Sequence, residues 1–521
     1  MCPGQETNVQ CHCQRAMKDG SGGQNIEDYS DTKFNTYACA CVVAASIISA
    51  IFGYSTGVMA GALLFIKDDL GISDLQVQML AGILNACALP GSLVAGRTSD
   101  MIGRRNTIIL SSIIFLLGSI LMGFGPNYSA LMAGRCTAGI GAGFALMIAP
   151  VYSAEISSPS YRGFLTALPD VSINLGLLFG YVSNYFFGRL PVPLGWRMML
   201  LVPAIPSLAL AILMLKLVES PRWLVMQGRI GDAREVLLRV SNTKQEAEQR
   251  LQEIKSAAGI DPRSTEDIVQ VPKRSRSGGG ALQELLCKPS PPVRRILIVA
   301  TGVHLFQQLI GIEAIFMYTP RIFERTGITT KSVLLLATVG MGISDAVFVL
   351  ISTFLLDRVG RRILLLVSSG GVAVSLLGLG ACMRIVEHSD YKVSWAISFT
   401  IVFTYIYVAF TAIGLGPVTW VYSSEIFPLR LRAQGLGVGV TVNRFTNVVV
   451  VTSFISIYQK ITMAGIFFMY SVITALAWCF YYSFLPETKG RSLEDMESIF
   501  GGKNDHDNNN NNKQVNAYNN A

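Results

Sequence analysis

Long apolar segments alternate with short polar stretches along the chain, and most of the apolar segments contain about 20 residues. A helix of that length crosses about 30 Å of hydrocarbon. The apolar runs are continuous and lack the alternating polar positions of a membrane β-barrel. The pattern therefore predicts an all-α membrane protein with about twelve transmembrane helices.

The predicted spans fall into two sets of six on either side of a polar stretch. They cover residues 37–64, 76–96, 106–124, 129–151, 164–187, 197–218, 294–318, 332–356, 363–384, 394–421, 433–458 and 462–485. This division gives an N-terminal tail, a six-helix bundle, a cytosolic linker, a second bundle and a low-complexity tail, at 1–36, 37–218, 219–293, 294–485 and 486–521. The polar residues before the first span do not resemble a cleavable signal peptide.

The polar linker contains two kinds of sequence. Residues 229–258 have helical periodicity with charge pairs at helical spacing, which predicts amphipathic cytosolic helices. Residues 261–281 include KRSRSGGG and are typical of a flexible connection. Neither segment is large enough for a catalytic domain, and no nucleophile–base constellation or phosphate-binding loop is present, so an enzyme is not expected.

Composition supports the membrane assignment and indicates a topology. The chain is 51% hydrophobic and 15% charged, with a formal net charge of +8. If both termini face the cytosol, that side collects about thirty basic residues, as the positive-inside rule requires. The positive charge is therefore a signal of topology, with cytosolic termini and basic loops beside the lipid bilayer, and it does not indicate nucleic-acid binding.

The ten cysteines are scattered. The group Cys2, Cys11, His12 and Cys13 lacks a recognised four-ligand spacing, so reduced thiols are the preferred interpretation and no metal is expected.

The two halves carry the same short motifs. DMIGRR, beginning at Asp100, recurs as DRVGRR, beginning at Asp357, and VYSAEI recurs as VYSSEI. An arginine follows the glutamate of the second motif by seven residues in both halves, and ESPRW at 219 is echoed by PETKGR at 486. A parallel repeat of two six-helix halves is typical of a secondary transporter with its substrate site between the halves.

The repeated charges fall at the predicted cytosolic helix ends. We expect them to form a gate network that latches the outward-facing state, although topology alone could also explain the basic residues. The candidate gate residues are Arg97, Asp100, Arg104, Arg105, Glu155, Arg162, Asp357, Arg358, Arg361, Arg362, Glu425 and Arg432.

Together these motifs resemble the sugar porter family of the major facilitator superfamily. The resemblance rests on GRTSDMIGRR, GRCTAGIGAGF, PVYSAEISSPSYRG, ESPRWL, FQQLIGI, DRVGRR, GLGPVTWVYSSEIFPLRLR and PETKGRSLE, over roughly residues 37–500. Within the family the chain is most similar to plant polyol/monosaccharide proton symporters. The resemblance implies the major facilitator fold and a small polyol or sugar as the transported partner.

The resemblance also implies a substrate site. Gln307 and Gln308 on span 7, Trp420 on span 10 and Asn443 on span 11 match the family's amide and indole ligands. An uncharged amide offers both hydrogen-bond senses to hydroxyl groups, and an indole packs against a sugar CH face.

Two positions of the implied site carry acids where many sugar porters have amides: Asp170 on span 5 and Glu313 on span 7. A carboxylate accepts several hydroxyl groups, which suits a linear polyol.

One family residue is missing from the first span. In IFGYSTGVMAG the family usually has Asp where this chain has Ser55, and that Asp carries the proton in the symporters. Arg135 matches the arginine that pairs with it. Asp345 on span 8 is a further departure, and it either titrates in place of the missing acid or pairs with Arg444. Proton symport is the family role, with the proton gradient as co-substrate and no other cofactor. Ser55 favours the alternative of a proton-uncoupled facilitator.

The glycines around Ser55 interrupt an otherwise bulky span. Gly53, Gly57 and Gly61 predict close packing against a neighbouring helix and bending of span 1 during transport. A non-transporting sugar sensor remains a further alternative for the whole chain, but its signalling segments would be longer. We expect a monomer in the plasma membrane.

Overall fold

A computed structural model describes residues 35–158, 162–258, 260–261, 266–269, 289–328, 330–389, 393–427 and 431–488. The N-terminal cysteine group, most of the predicted flexible connection and the C-terminal tail lie outside these residues. The described part contains twelve helices long and apolar enough to cross a membrane. Nine spans are single helices: Thr36–Leu70 (span 1), Asp74–Ile102 (2), Arg104–Phe124 (3), Tyr128–Ile156 (4), Arg162–Phe187 (5), Lys331–Val359 (8), Arg361–His388 (9), Arg432–Ile461 (11) and Met463–Phe484 (12).

The other three spans are interrupted. Span 6 consists of Val192–Leu201 and Ala204–Met214, span 7 of Pro291–Leu309 and Ile312–Arg325, and span 10 of Ser394–Phe410, a π-helix Thr411–Leu415 and Gly416–Ile426. The predicted bounds of span 6, 197–218, are therefore wrong at both ends. A proline in the first turn starts the helix earlier, since proline has a preformed helical φ angle and needs no amide partner there.

Span 1 packs along span 5 through its glycines. A Cβ atom built on Gly53 would lie 1.9 Å from the carbonyl oxygen of Ile173, and one on Gly57 would lie 2.4 Å from that of Leu177. Gly176 of span 5 approaches the carbonyl oxygen of Ala50 in the same way, at 2.0 Å. The predicted close packing is confirmed. The helix itself runs without a break from Thr36 to Leu70, and its bending during transport stays a prediction.

The helices predicted over residues 229–258 are found as Ile230–Val240 and Lys244–Ala257, and a short helix that was not predicted, Pro221–Met226, precedes them. They dock on the end of span 4, where the buried Arg250 donates to the carbonyl oxygens of Ile156 at 3.2 Å and Ser157 at 3.0 Å. These carbonyls belong to a helix terminus that lacks intrahelical partners, so Arg250 satisfies them. The linker is thereby fixed to the first half.

The two halves meet through spans 2 and 11, spans 5 and 8, and spans 1 and 7. At the end of the molecule opposite to the linker helices, charged side chains connect them. Lys331 Nζ lies 2.7 Å from Asp68 Oδ2, Arg321 Nη1 lies 3.6 Å from Asp74 Oδ1, and Gln459 Nε2 donates to Asp74 Oδ2 at 3.1 Å. These contacts close the bundle at that end.

Candidate functional site

Two adjacent glutamines of span 7 face an asparagine of span 11 inside the second half. Asn443 Nδ2 donates to Gln307 Oε1 at 2.7 Å, and Gln308 Nε2 donates to Asn443 Oδ1 at 3.2 Å. The exposed fractions are 5% for Gln307, 4% for Gln308 and 0% for Asn443. The structure therefore brings together the three amides that the resemblance assigns to the substrate, and in this state they satisfy one another.

Interruptions in spans 7 and 10 shape the surroundings of these amides. Gly311 has a φ of +86°, and a Cβ atom there would lie 2.5 Å from the ring of Tyr470, so only glycine fits. In span 10, Pro417 has no N–H to donate, and the carbonyl of Ile413 accepts instead from Ser352 Oγ at 2.6 Å.

The π-helix of span 10 is bonded directly to the site. Gln307 Nε2 donates to the carbonyl oxygens of Leu415 at 2.9 Å and Gly416 at 3.2 Å. Irregular backbone at membrane depth requires such partners, because lipid offers none. Gln307 therefore supports span 10 as well as contacting Asn443.

A buried arginine organises the asparagine. Arg444 Nη2 and Nε donate to Asn443 Oδ1 at 2.7 and 3.1 Å, and Arg444 Nη1 lies 3.7 Å from Glu313 Oε1. The same Nη1 atom lies 3.5 Å from Asn85 Oδ1 of span 2, in the other half. Arg444 thus links the amides to an implied acid and to the interface between the halves.

Sequence reasoning missed two amides of this cluster. One is Asn85, and the other is Asn447, whose Nδ2 donates to Gln308 Oε1 at 3.0 Å. Both are fully buried, with exposed fractions of 1% and 0%. In the sequence each appears as a single polar residue within an apolar span. Hydrogen bonding between helices explains such a residue as well as substrate binding does.

Trp420 lies beside the amides with its side chain half-buried. Its ring meets His304 edge to face, with centroids 5.1 Å apart and an interplanar angle of 73°. His304 is fully buried and also contacts Asn443, with Nδ1 3.4 Å from Nδ2. Sequence reasoning did not select this histidine.

The remaining two acids lie where spans 5 and 8 meet. Asp170 is half-buried and Asp345 is 3% exposed. Asp345 Oδ2 has no hydrogen-bond partner in the described part of the chain. The alternative in which Asp345 pairs with Arg444 is not formed among the described residues, because Arg444 lies beside Glu313, with Nη1 3.7 Å from Oε1. Titration of Asp345 stays a prediction.

Arg135 is fully buried against span 1. Its Nη1 donates to the carbonyl oxygen and to the hydroxyl of Ser55, both at 3.2 Å. Nε and Nη2 have no partner among the described residues. Arg135 and Ser55 are therefore neighbours, as the resemblance implies, and the described partner of the guanidinium is this serine in place of a carboxylate.

The repeated charged motifs form the same arrangement in each half. Arg104 Nε lies 3.0 Å from Glu155 Oε2 in the first half, and Arg361 Nη2 lies 2.9 Å from Glu425 Oε1 in the second. Asp100 adds a contact of 3.1 Å to Arg104 Nη1. Acid–base pairing at equivalent positions is thus present in both halves.

Other candidate gate residues take different positions. Arg105 Nη1 donates to the carbonyl oxygen of Leu217 at 3.2 Å and Arg362 Nη2 to that of Tyr482 at 2.8 Å, while Arg97 and Arg358 are exposed. The side chains of Arg162, Asp357 and Arg432 lie outside the part that the structure describes.

The third repeated motif supplies an acid that sequence reasoning left without a role. Glu219 Oε1 accepts from the backbone N–H groups of Arg104 at 2.9 Å and Arg105 at 3.0 Å, at the start of span 3. Glu487 accepts from those of Arg361 at 2.9 Å and Arg362 at 3.0 Å, at the start of span 9. A carboxylate at a helix N-terminus satisfies its unpaired N–H groups.

The described gate pairs differ from the latch that we expected. Arg104–Glu155 and Arg361–Glu425 each join helices of one half, and both are formed while Lys331–Asp68 connects the halves at the opposite end. Since each pair lies within one half, the two halves can separate without breaking either pair. They stabilise each bundle, and the latch stays a prediction that depends on side chains outside the described part.

Comparison with known proteins agrees with this architecture. The family described as "Sugar (and other) transporter" matches residues 40–500. Probable polyol transporter 6 of Arabidopsis thaliana is 55% identical over 466 residues, which cover 89% of this chain and 94% of the relative. Polyol transporter 5 of the same plant is 53% identical over 470 residues, covering 90% and 87%.

A solved structure has the same fold. The proton:xylose symporter XylE, of the major facilitator superfamily and bound to 6-bromo-6-deoxy-D-glucose, superposes with a TM-score of 0.74. The match covers 90% of this chain and 100% of that one, at 24% identity. The chain has the fold of the major facilitator superfamily and belongs to the sugar transporter family. It is an integral membrane transporter and not an enzyme, as predicted.

Proposed function

We propose that the protein moves linear polyols or monosaccharides across a membrane by alternating access. The observation that carries this proposal is the cluster of Gln307, Gln308 and Asn443 beside Trp420, with Glu313 within reach of the same network. Similarity to Arabidopsis polyol transporter 5 and probable polyol transporter 6 supports the substrate class. Two repeated halves that meet beside this cluster support alternating access as the mechanism.

The chemistry of the site suits a hydroxyl-rich solute. Amides donate and accept hydrogen bonds without charge, so substrate hydroxyl groups can replace the bonds that the amides now make with one another. Trp420 offers an apolar face to CH groups and an N–H donor at its edge. Asp170 and Glu313 add acceptors, and each can hold two hydroxyl groups of an extended polyol.

Two modes of energy coupling remain, and each has support. Proton symport is the role expected from the family and matches the description of XylE as a proton:xylose symporter. Proton-uncoupled facilitation is favoured by one observation in this chain, the contact of Arg135 with Ser55 in place of a carboxylate. A serine hydroxyl does not titrate in the working pH range, so this pair cannot carry a proton.

Tracer uptake in a transport-deficient host tests both the substrate and the coupling. We expect saturable uptake of at least one linear polyol or monosaccharide from a panel, and the proposal fails if the folded protein takes up none. Repeating the assay with a protonophore separates the two modes. A symporter loses accumulation above the external concentration, whereas a facilitator equilibrates its substrate at an unchanged initial rate.

We further propose that the protein acts as a monomer in the lipid bilayer of the plasma membrane, with both termini in the cytosol. The basic residues at the linker-facing helix ends, including Arg104 and Arg361, support this orientation. The proton gradient is the single co-substrate that we infer, with no bound cofactor. Protease protection of tags at either terminus in intact cells tests the orientation.

A further inference from the structure

His304 lies one helical turn before the glutamine pair on the same span, so its side chain shares their face of the helix. It is 0% exposed. Its ring is enclosed on three sides: by Trp420 at a centroid distance of 5.1 Å, by Asn443 Nδ2 at 3.4 Å from Nδ1, and by Gly439. A Cβ atom on Gly439 would lie 2.5 Å from Cδ2 and 2.9 Å from Nε2 of the ring.

The hydrogen bonds of Asn443 fix the role of each ring nitrogen. Asn443 Oδ1 faces donors from Arg444 at 2.7 Å and Gln308 at 3.2 Å, so this atom must be the carbonyl oxygen of the amide. Asn443 Nδ2 then faces Gln307 Oε1 and His304 Nδ1 as a donor. The His304 Nδ1 atom is therefore an acceptor, and the ring hydrogen is on Nε2.

The unpaired Nε2 atom of His304 argues that this residue does more than fill space in the core. His304 Nε2 has no hydrogen-bond partner among the described residues and packs against Gly439. A buried donor without a partner costs about 1–3 kcal/mol, and an apolar side chain of similar volume would avoid that cost. The acceptor at Nδ1 is what an apolar side chain could not provide.

Counting hydrogen atoms shows what that acceptor does for the site. Asn443 Nδ2 has two hydrogens, of which Gln307 Oε1 takes one and His304 Nδ1 the other. Gln308 Nε2 also has two hydrogens. It donates one to Asn443 Oδ1, which leaves the other for a substrate oxygen. Asn443 thus becomes a fixed support for the two glutamines, and its own amide is not free to turn.

We propose that His304 is a positioning residue of the substrate site, which holds the amide of Asn443 and the indole of Trp420 in the orientation that recognises a hydroxyl-rich substrate. This inference rests on the proposed function, and it adds a residue that sets substrate affinity without binding the substrate. Loss of the acceptor would let the Asn443 amide rotate and weaken the alignment of Gln307 and Gln308 with substrate hydroxyl groups.

Uptake of sorbitol and of D-glucose by purified protein in liposomes tests the inference. His304→Leu removes the acceptor at similar volume, and we expect its KM for the transported probe to rise about tenfold with Vmax within about twofold, the cost of one misaligned hydrogen-bond pair. His304→Asn keeps an acceptor near Nδ1, and its KM should stay within about threefold of wild type. A wild-type KM in His304→Leu, or equal loss in both variants, overturns the inference.

A second pair of variants leaves the histidine in place. Gly439→Ala should displace the ring and raise KM as His304→Leu does, whereas Gly437→Ala in the same helix has no atom within 4 Å of its new Cβ and should not. Equal KM values for the two glycine variants contradict the inference.

Thermal unfolding keeps the inference testable if neither probe is transported, a result that counts against the proposed function. Because His304 and Asn443 act as one unit, His304→Leu with Asn443→Ala should lower the Tm no more than the more damaging single change does. Additive losses of Tm overturn the inference.

Discussion

Arg135 reaches Ser55 through one nitrogen, Nη1, which donates to both the carbonyl and the hydroxyl oxygen of the serine at 3.2 Å. The guanidinium is 0% exposed, and its Nε and Nη2 have no partner in the described part of the chain. A buried cation with so few acceptors is destabilising, so a carboxylate at position 55 should be accommodated and should pair with it.

Ser55→Asp should therefore raise the free energy of unfolding by about 1.5–3 kcal/mol, the usual contribution of hydrogen bonds to a charged group. If the wild type is a facilitator, the variant should also gain accumulation driven by a proton gradient. Thermal unfolding and tracer uptake at two external pH values measure the two effects. Ser55→Asn is the matched control, since it adds similar volume without charge, and equal stability of the two variants would contradict the prediction.

The contact between spans 1 and 5 should tolerate no side chain at its centre. Gly53→Ala places a Cβ atom 1.9 Å from a backbone oxygen of Ile173, which cannot move without displacing span 5. We expect a loss of about 1–3 kcal/mol in the free energy of unfolding, or failure to fold. Gly437→Ala, with no atom within 4 Å of its new Cβ, should unfold like wild type, and equal behaviour of the two variants would count against this packing.

Gln308→Ala should weaken substrate binding more than it weakens folding. It removes the bonds to Asn443 at 3.2 Å and Asn447 at 3.0 Å together with the N–H left for the substrate. We expect KM for the transported solute to rise about tenfold, corresponding to about 1.4 kcal/mol. Thr301→Ala is the control on the same helix, because that hydroxyl bonds to its own helix at 2.7 Å. An unchanged KM in Gln308→Ala would remove this residue from the site.

Asp74 should help to hold the two halves together at the end opposite to the linker. Asp74→Asn weakens contacts with Arg321 at 3.6 Å and Gln459 at 3.1 Å. Because such partly exposed pairs contribute about 0–1 kcal/mol, we expect an increase of up to about fivefold in alkylation of a cysteine introduced at Gln78, which is 3% exposed and contacts Ser456 of span 11. Asp232→Asn in the linker breaks a comparable pair with Arg229, at 2.6 Å, and should leave the alkylation rate unchanged.

Glu219 should give stability a specific pH dependence. Burial raises the pKa of this carboxyl above its ordinary value of 4.5, against the lowering effect of hydrogen bonds from the backbone N–H groups of Arg105, Ser220 and Arg104. The folded state thus favours the protonated acid. Protonated Glu219 stabilises the fold fully below pH 4.5, and this stabilisation declines as the pH rises through the raised pKa. Chemical unfolding of detergent-solubilised protein from about pH 4 to 7 measures it.

Glu219→Gln should flatten this part of the pH profile, because an amide does not titrate. Glu253→Gln, on an exposed position of the linker, should retain the wild-type slope. The same slope in Glu219→Gln and wild type would show that Glu219 does not cause the dependence.

Much of the fold could be predicted because hydrocarbon imposes a length and a polarity on every span. The twelve spans and the two halves follow from apolar run length and from repeated motifs. Span 6 was misplaced because the apolar pattern does not show where proline starts a helix. The substrate amides came from the family resemblance, whereas His304, Asn85 and Asn447 were missed, because a single polar residue in an apolar span has the same signal whether it binds substrate or joins helices.

The sequence by itself determined the membrane class, the twofold repeat, the amide pair and the absence of an acid at position 55, since each is a property of residue type and spacing. Only the tertiary structure decided that Arg444 pairs with Glu313 and not with Asp345, that the gate pairs lie within each half, and that His304 supports Asn443. These contacts join residues distant along the chain, and their choice among alternatives depends on how the helices rotate and approach in three dimensions.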